Sequence, residues 1–166
     1  RSMGGLSATL VEVGGPHGSG GGRFAQELAQ RLQRVAFDAG WAVPTITHAA
    51  TLPAPPTHPA ILVLTGDQPL DATRALRFLD ATEVERAPCV VIARRWPGTA
   101  LAEGESSDRR LSVTLGAARA ADVRLLLSQT FGEEPSEAEV DAALGLSGGL
   151  LGALCDGLAV QALHGR

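Results

Sequence analysis

The sequence predicts an α/β fold, a three-layer α/β/α sandwich around a parallel sheet of about five strands. Short apolar runs alternate along the chain with segments whose apolar residues recur at helical spacing, which is typical of a parallel sheet covered on both faces. The runs Ala60–Leu64 and Cys89–Ala93 are apolar throughout, as expected for strands buried on both faces. Near the start of the chain, a short strand, a glycine-rich turn and a helix follow one another. We expect a single domain over residues 4–166, after a cloning remnant and start at residues 1–3.

Each predicted element has its own local signal. Phe24, Leu28 and Leu32 fall on one face of the first helix, and Gly40 is placed to end it. Pro44 favours an edge position for the second strand, because proline cannot donate to a central ladder. Residues 123–127 form either a fifth strand or helix, and the strand is the favoured assignment. The predicted strands cover 8–13, 41–47, 60–64, 89–93 and 123–127; the predicted helices cover 23–39 and 109–121, begin at 71 and at 135–137, and end the chain at 147–163.

The composition excludes several kinds of chemistry. The chain has no lysine, so all 14 basic residues are arginine, which excludes a Schiff base, a P-loop lysine and a lysine general base. The net charge of −4 does not indicate binding to nucleic acid or to an anionic membrane. Cys89 and Cys155 lack metal-ligand spacing, and the apolar run around Cys89 predicts a buried, inert thiol. No segment has the pattern of a signal peptide or a transmembrane helix, so we expect a cytoplasmic location.

The stretch Thr9–Ala29 carries the main functional signal. Glycine occupies positions 14, 15, 18, 20, 21 and 22, between an apolar strand and an alanine-rich helix. Such a turn gathers backbone N–H groups and the positive end of a helix dipole around one small volume, which suits a phosphate or another anion. The alternative is a glycine-rich connection that binds no ligand.

Two phosphate-loop patterns fit this stretch incompletely. Gly15 and Gly20 have the G-x-x-x-x-G spacing of a Walker A loop, but Gly21 and Gly22 occupy the lysine and Ser/Thr positions. Hydrolysis of a nucleoside triphosphate is therefore not expected. Residues 20–25 satisfy the dinucleotide pattern G-x-G-x-x-A, yet no acidic residue follows the second strand to bind a ribose.

The order and spacing of the elements resemble the flavodoxin-like family of NAD(P)H-dependent FMN reductases. The resemblance covers most of the chain as a pattern: a strand, the loop Gly14–Arg23, a long amphipathic helix, and loops after the third and fourth strands. It implies FMN bound by its phosphate on the first loop, with NAD(P)H as electron donor. The residues implied to contact the cofactor are Gly15, Pro16, His17, Gly18, Ser19, Gly20, Gly21, Gly22, Arg23, Asp67, Gln68 and Trp96.

Departures from the family pattern indicate alternative functions. Gly15 stands where the family places a serine, His17 replaces its arginine, and the loop Gly66–Leu70 has no aromatic residue. The third loop, Arg95–Thr99, lacks the several glycines of the family, so the second and third of the three flavin-contacting loops are altered. One alternative is a flavodoxin-like domain that has lost FMN and serves as a binding or assembly module. Another is an enzyme that acts on a different small phosphorylated ligand at the same loop.

Other polar candidates have structural alternatives. Asp71 is expected to cap a helix rather than to act in catalysis. Arg94 and Arg95 follow the fourth strand and can add anion affinity or hold the next loop. Trp96 can stack on a flavin ring or cover an apolar edge of the sheet.

The last predicted helix combines a leucine stripe with glycines at 148, 149, 152 and 157. Because glycine weakens a helix, its repeated use predicts close packing against another surface. That surface is either the domain's own sheet or a second subunit, and the family resemblance favours a homo-oligomer through this helix. The expected partners are a small-molecule ligand and a second copy of the chain, without nucleic acid or membrane.

Overall fold

The computed structural model describes residues 7–66, 70–95 and 108–164 of the chain. Within these ranges it contains five strands and five helices. The strands are β1 (Thr9–Gly14), β2 (Thr45–Ala49), β3 (Ala60–Leu64), β4 (Cys89–Arg95) and β5 (Arg110–Thr114). The helices are α1 (Gly21–Asp38), α2 (Ala72–Val84), α3 (Ala120–Phe131), α4 (Glu137–Ser147) and α5 (Leu151–His164).

Residue contacts divide the chain into two compact units. The sheet unit comprises Arg1–Gly14 and Gly22–Thr114, and the helical unit comprises Gly15–Gly21 and Leu115–Arg166. The glycine-rich loop therefore groups with the helical unit, although the strand before it and nearly all of the helix after it belong to the sheet unit.

All five strands are parallel and follow the spatial order β2-β3-β4-β1-β5. β1 lies between β4 and β5, so Gly14 has Arg95 beside it on one strand and Thr114 on the other. β2 is an edge strand, as predicted, but it begins at Thr45, so Pro44 precedes the strand instead of lying within the predicted range 41–47. Flavodoxin orders its strands 2-1-3-4-5. The chain shares the layers and the parallel sheet of that fold, but here β3 and β4 lie between β2 and β1.

Helices cover both faces of the sheet, which confirms the predicted three-layer α/β/α sandwich. The connections from β1 to β2 and from β3 to β4 run in opposite directions along the sheet, so right-handed crossovers place α1 and α2 on opposite faces. On one face, alternate strand residues such as Leu10 and Leu62 pack with Leu79 of α2. The buried residues of α1 are Ala25, Ala29 and Ala36.

The fifth strand is formed by a segment that the sequence pattern assigned to a helix. Residues 110–114 pair with β1, so the predicted helix over 109–121 is wrong. The error has a physical reason. β5 is an edge strand in which Leu111 remains 55% exposed, and it lacks the continuous apolar run that identifies β3 and β4.

Residues 123–127, the favoured fifth strand, lie inside α3, so that assignment is also wrong and the helical alternative is correct. Val123 and Leu127 are one helical turn apart. They form the core of the helical unit together with Val140 of α4 and with Leu154 and Leu158 of α5. Packing among three helices therefore accounts for the apolar run without a strand.

The ends of α2 and α4 follow their sequence signals. The carboxylate of Asp71 accepts hydrogen bonds from the N–H groups of Thr73 and Arg74, at 2.9 and 3.3 Å, which confirms the predicted cap of α2. Ser136 caps α4 in a reciprocal capping box with Glu139.

α5 begins at Leu151, whereas the sequence predicted a helix from residue 147. Ser147 is instead the last residue of α4. Gly148 and Gly149 follow with φ angles of 59° and 74°, and this left-handed backbone separates the two helices.

Candidate functional site

The glycine-rich loop joins the interior strand β1 to α1. Three of its glycines have positive φ: 153° at Gly15, 84° at Gly18 and 88° at Gly20. Side chains that carry a Cβ rarely adopt these angles, so the loop requires glycine at these positions. The strand, loop and helix predicted within Thr9–Ala29 are present in that order.

Two glycines of the loop pack directly against the first turn of α5. A Cβ on Gly152 would lie 2.5 Å from the carbonyl oxygen of Gly18 and 2.7 Å from the nitrogen of Gly20, so no side chain fits between the backbones. The N–H of Ala153 donates a hydrogen bond of 3.1 Å to the carbonyl oxygen of Gly18. Gly152 therefore allows the backbone of α5 to pack directly on the loop. The sequence pattern did not indicate the loop as the surface against which this helix packs.

Polar groups of the loop bond within it, bond to α5 or are exposed to solvent. Ser19 is 9% exposed, and its N–H donates to the carbonyl oxygen of Pro16. Pro16, His17, Gly22 and Arg23 are exposed. Across the described ranges, neither His17 nor Arg23 has a side-chain hydrogen bond or an ion pair.

The predicted cofactor contacts fall into two groups. Those of Gly15–Arg23 form the continuous loop and the start of α1, with Gly15, Gly18, Gly20 and Gly21 half-buried. Asp67, Gln68 and Trp96 lie outside the described residues. The loop therefore has the glycine spacing of a phosphate loop without the lysine and hydroxyl side chains that contact magnesium and the terminal phosphates.

Arg95, which was not among the predicted cofactor contacts, lies across the end of β1. Its Nη1 donates to Ser112 Oγ and its Nη2 to Thr114 Oγ1, each at 3.3 Å. This path exists because Gly14 has no side chain: a Cβ there would lie 2.9 Å from Arg95 Nη2. Sequence reasoning missed the cluster because it placed residues 112 and 114 on a helix.

A buried ion pair lies on the same face of β1, two residues earlier. Arg110 Nε donates to Glu12 Oε2 at 2.5 Å, and both side chains are less than a tenth exposed. The pair joins the interior strand β1 to the edge strand β5.

The helical unit carries an apolar groove of about 410 Å³ between α3, α4 and α5. Its walls include Leu127, Phe131, Ala143, Leu146, Leu154 and Leu158. Leu146 is 88% exposed and Phe131 is 56% exposed. We call this surface, defined by these six residues, the apolar groove.

The sheet unit has a smaller cavity of about 140 Å³ beyond the ends of β3 and β4, bordered by Leu64, Asp71 and Arg94. Small-molecule pockets typically measure about 300–1,000 Å³. The described part of this cavity is smaller than that range.

The described residues contain no group of three or more His, Cys, Asp or Glu side chains that could hold a metal ion. Burial raises the pKa of the Cys89 thiol to about 11, which makes it unreactive, as its apolar run predicts. Among the described helices, none alone is long and apolar enough to cross a membrane. α4 and the start of α5 reach that length and composition only as a pair bent by 108°.

No protein-family model and no curated protein matches the chain. A solved structure, the E. coli MS115-1 HORMA:CdnC:Trip13 complex, contains a chain with a similar fold. The match has a TM-score of 0.51 and 15% sequence identity, and it covers 84% of this chain. The chain corresponds to 56% of the length of that solved chain. At this identity, the similarity concerns the fold alone.

Proposed function

We propose that this chain is an assembly module, which uses the apolar groove to contact a second copy of itself. The observation that carries the proposal is the exposure of Leu146 and Phe131 beside a groove of about 410 Å³. Large apolar side chains grouped on a surface are typical of protein contacts, because covering them removes apolar area from water. The groove is formed by helices alone, which suits the packing of another helix into it.

The packing of the glycine-rich loop supports a role other than catalysis. Gly18 and Gly20 contact the backbone of Gly152, so the chain's own helix occupies one side of the loop. The absence of lysine and the glycines at positions 21 and 22 remove the side chains that assist phosphoryl transfer.

Light scattering after gel filtration tests the proposal. At about 50 µM, we expect a mass near twice the 17.1 kDa of the chain, corresponding to a Kd in the micromolar range. Leu146→Glu should shift the protein to the monomer, because it places a charge on the apolar contact. Val84→Glu is the matched control, since Val84 is 82% exposed on α2 in the sheet unit and its substitution should leave the dimer intact. A wild-type monomer, or equal effects of both substitutions, contradicts self-assembly.

A flavoprotein of the FMN reductase type, with NAD(P)H as electron donor, is the second candidate. It is favoured by the position of the loop, which follows an interior strand and precedes a helix, as a phosphate site requires. Titration of FMN, followed by its fluorescence, tests this candidate. Gly22→Val adds its side chain in open space at the start of α1, so it should weaken FMN binding if the loop holds the phosphate, but it should leave the mass of the assembly unchanged. Unquenched FMN fluorescence would exclude the candidate.

A further inference from the structure

At the carboxyl ends of β4 and β1, two neighbouring strands, the chain connections leave in opposite directions along the sheet. The connection that leaves β1 runs toward β2, whereas the connection that leaves β4 runs the opposite way, toward β5. In open parallel sheets, ligands bind outside the carboxyl ends of the strands at such a point. Gly14 and Arg95 are the last residues of these two strands and lie side by side.

The guanidinium of Arg95 is held in place at this point. It donates to hydroxyl groups on β5, at Ser112 and Thr114, and it reaches them across Gly14. These two bonds use two of its five N–H donors. Each hydroxyl that accepts from the guanidinium keeps its own O–H for donation. The cluster therefore keeps guanidinium N–H groups and two hydroxyl O–H groups for donation, while each hydroxyl oxygen also keeps one lone pair.

No carboxylate neutralises Arg95 within the described chain. It forms no ion pair there, although other arginines of the sheet unit do. Glu12, the acidic residue on the same face of β1, is bonded to Arg110 instead. A fixed guanidinium with adjacent hydroxyls matches the oxygens of a phosphate group, which accept several hydrogen bonds at once.

We infer that Arg95, Ser112 and Thr114 form a binding site for the phosphate group of a small molecule, at the carboxyl edge of β4, β1 and β5. The arginine supplies the positive charge and the two hydroxyls donate to the remaining oxygens. Gly14 is a positioning residue, because its missing side chain lets the guanidinium lie across β1. This site belongs to the sheet unit alone and does not depend on the proposed self-assembly.

Calorimetric titration of the full chain with inorganic phosphate, pyrophosphate and acetate, at constant ionic strength, tests the inference. We expect phosphate and pyrophosphate to bind with a Kd of about 1 mM or lower, and acetate to bind at least about tenfold more weakly. Arg95→Gln should weaken phosphate binding by at least about tenfold. Arg31→Gln makes the same change in net charge at an exposed position of α1 and should alter the Kd less than about twofold.

Two further variants test whether the Arg95 cluster binds phosphate or only joins neighbouring strands. Gly14→Ala keeps every charge but displaces the guanidinium, so it should weaken phosphate binding about threefold or more. Thr114→Val keeps the arginine and the shape of β5 and should weaken binding similarly, even if Arg95→Gln does not fold. Failure of the wild type to bind phosphate at about 10 mM overturns the inference. So does equal binding by acetate, or equal weakening by Arg31→Gln.

Discussion

Replacement of Gly152 by alanine tests whether the glycine-rich loop is held by α5. The added Cβ would stand 2.5 Å from Gly18 O and 2.7 Å from Gly20 N, whereas ordinary van der Waals contact begins at 3.4 Å. Both opposing atoms belong to the backbone, so one segment must move. Overpacking of this kind costs about 1–3 kcal/mol, and the strained hydrogen bond from Ala153 adds up to about 1 kcal/mol. Alanine returns about 1 kcal/mol of helix propensity, so the net loss of stability is at most about 3 kcal/mol.

The same helix offers a matched control at Gly157. A Cβ there meets nothing within 4 Å, so Gly157→Ala should raise stability by up to about 1 kcal/mol. The gain in helix propensity is common to both variants, so their free energies of unfolding should differ by about 1–4 kcal/mol in urea unfolding followed by circular dichroism. If Gly152→Ala is as stable as Gly157→Ala, the loop is not packed closely on α5, and a close approach of the two backbones does not explain the glycine at position 152.

Three further outcomes follow from single contacts. Arg110→Met leaves the buried carboxylate of Glu12 without its partner and should lower the free energy of unfolding by about 3–5 kcal/mol, measured with urea at neutral pH. A loss below about 1 kcal/mol would show that the pair is not buried. Because burial raises the pKa of Cys89 to about 11, Ellman's reagent should modify one thiol of the native protein and two after denaturation; two fast thiols in the native state would contradict this. Hydrogen bonds from Ser136 hold the pKa of Glu139 below its usual value, and the associated stability is present above the unfolded-state pKa and lost as pH falls through the folded-state pKa. Ser136→Ala should therefore raise that pKa in an NMR titration and cost about 1 kcal/mol through the lost cap, and an unchanged titration would refute the capping box.

Local pattern predicted the parts of the fold that depend on local physics. β3 was predicted with its observed bounds, because five consecutive apolar residues fit a strand buried on both faces. The cap at Asp71 was predicted for an equally local reason, since its side chain bonds to N–H groups within three residues. These features require no knowledge of the rest of the chain.

The features that were not predicted depend on contacts between segments that are far apart in the sequence. β5 is a strand because β1, about a hundred residues earlier, leaves an unpaired edge beside it, and the exposed residue Leu111 carries little sign of this. The contact between Gly152 and the loop also joins remote segments, so no local pattern contains it. The Arg95 cluster was missed for the same reason, since Ser112 and Thr114 reach it only once β5 is in place.

Glycine in a loop has two physical uses that a sequence does not distinguish. It allows a ligand to approach the backbone, and it allows another backbone to do so. The atoms opposite each glycine decide between them. At Gly18 and Gly20 the opposing group is the first turn of α5, which is why we place function on the apolar groove instead of the loop. At Gly14 the opposing group is a side chain, the guanidinium of Arg95, so this glycine positions the arginine of the phosphate site that we infer.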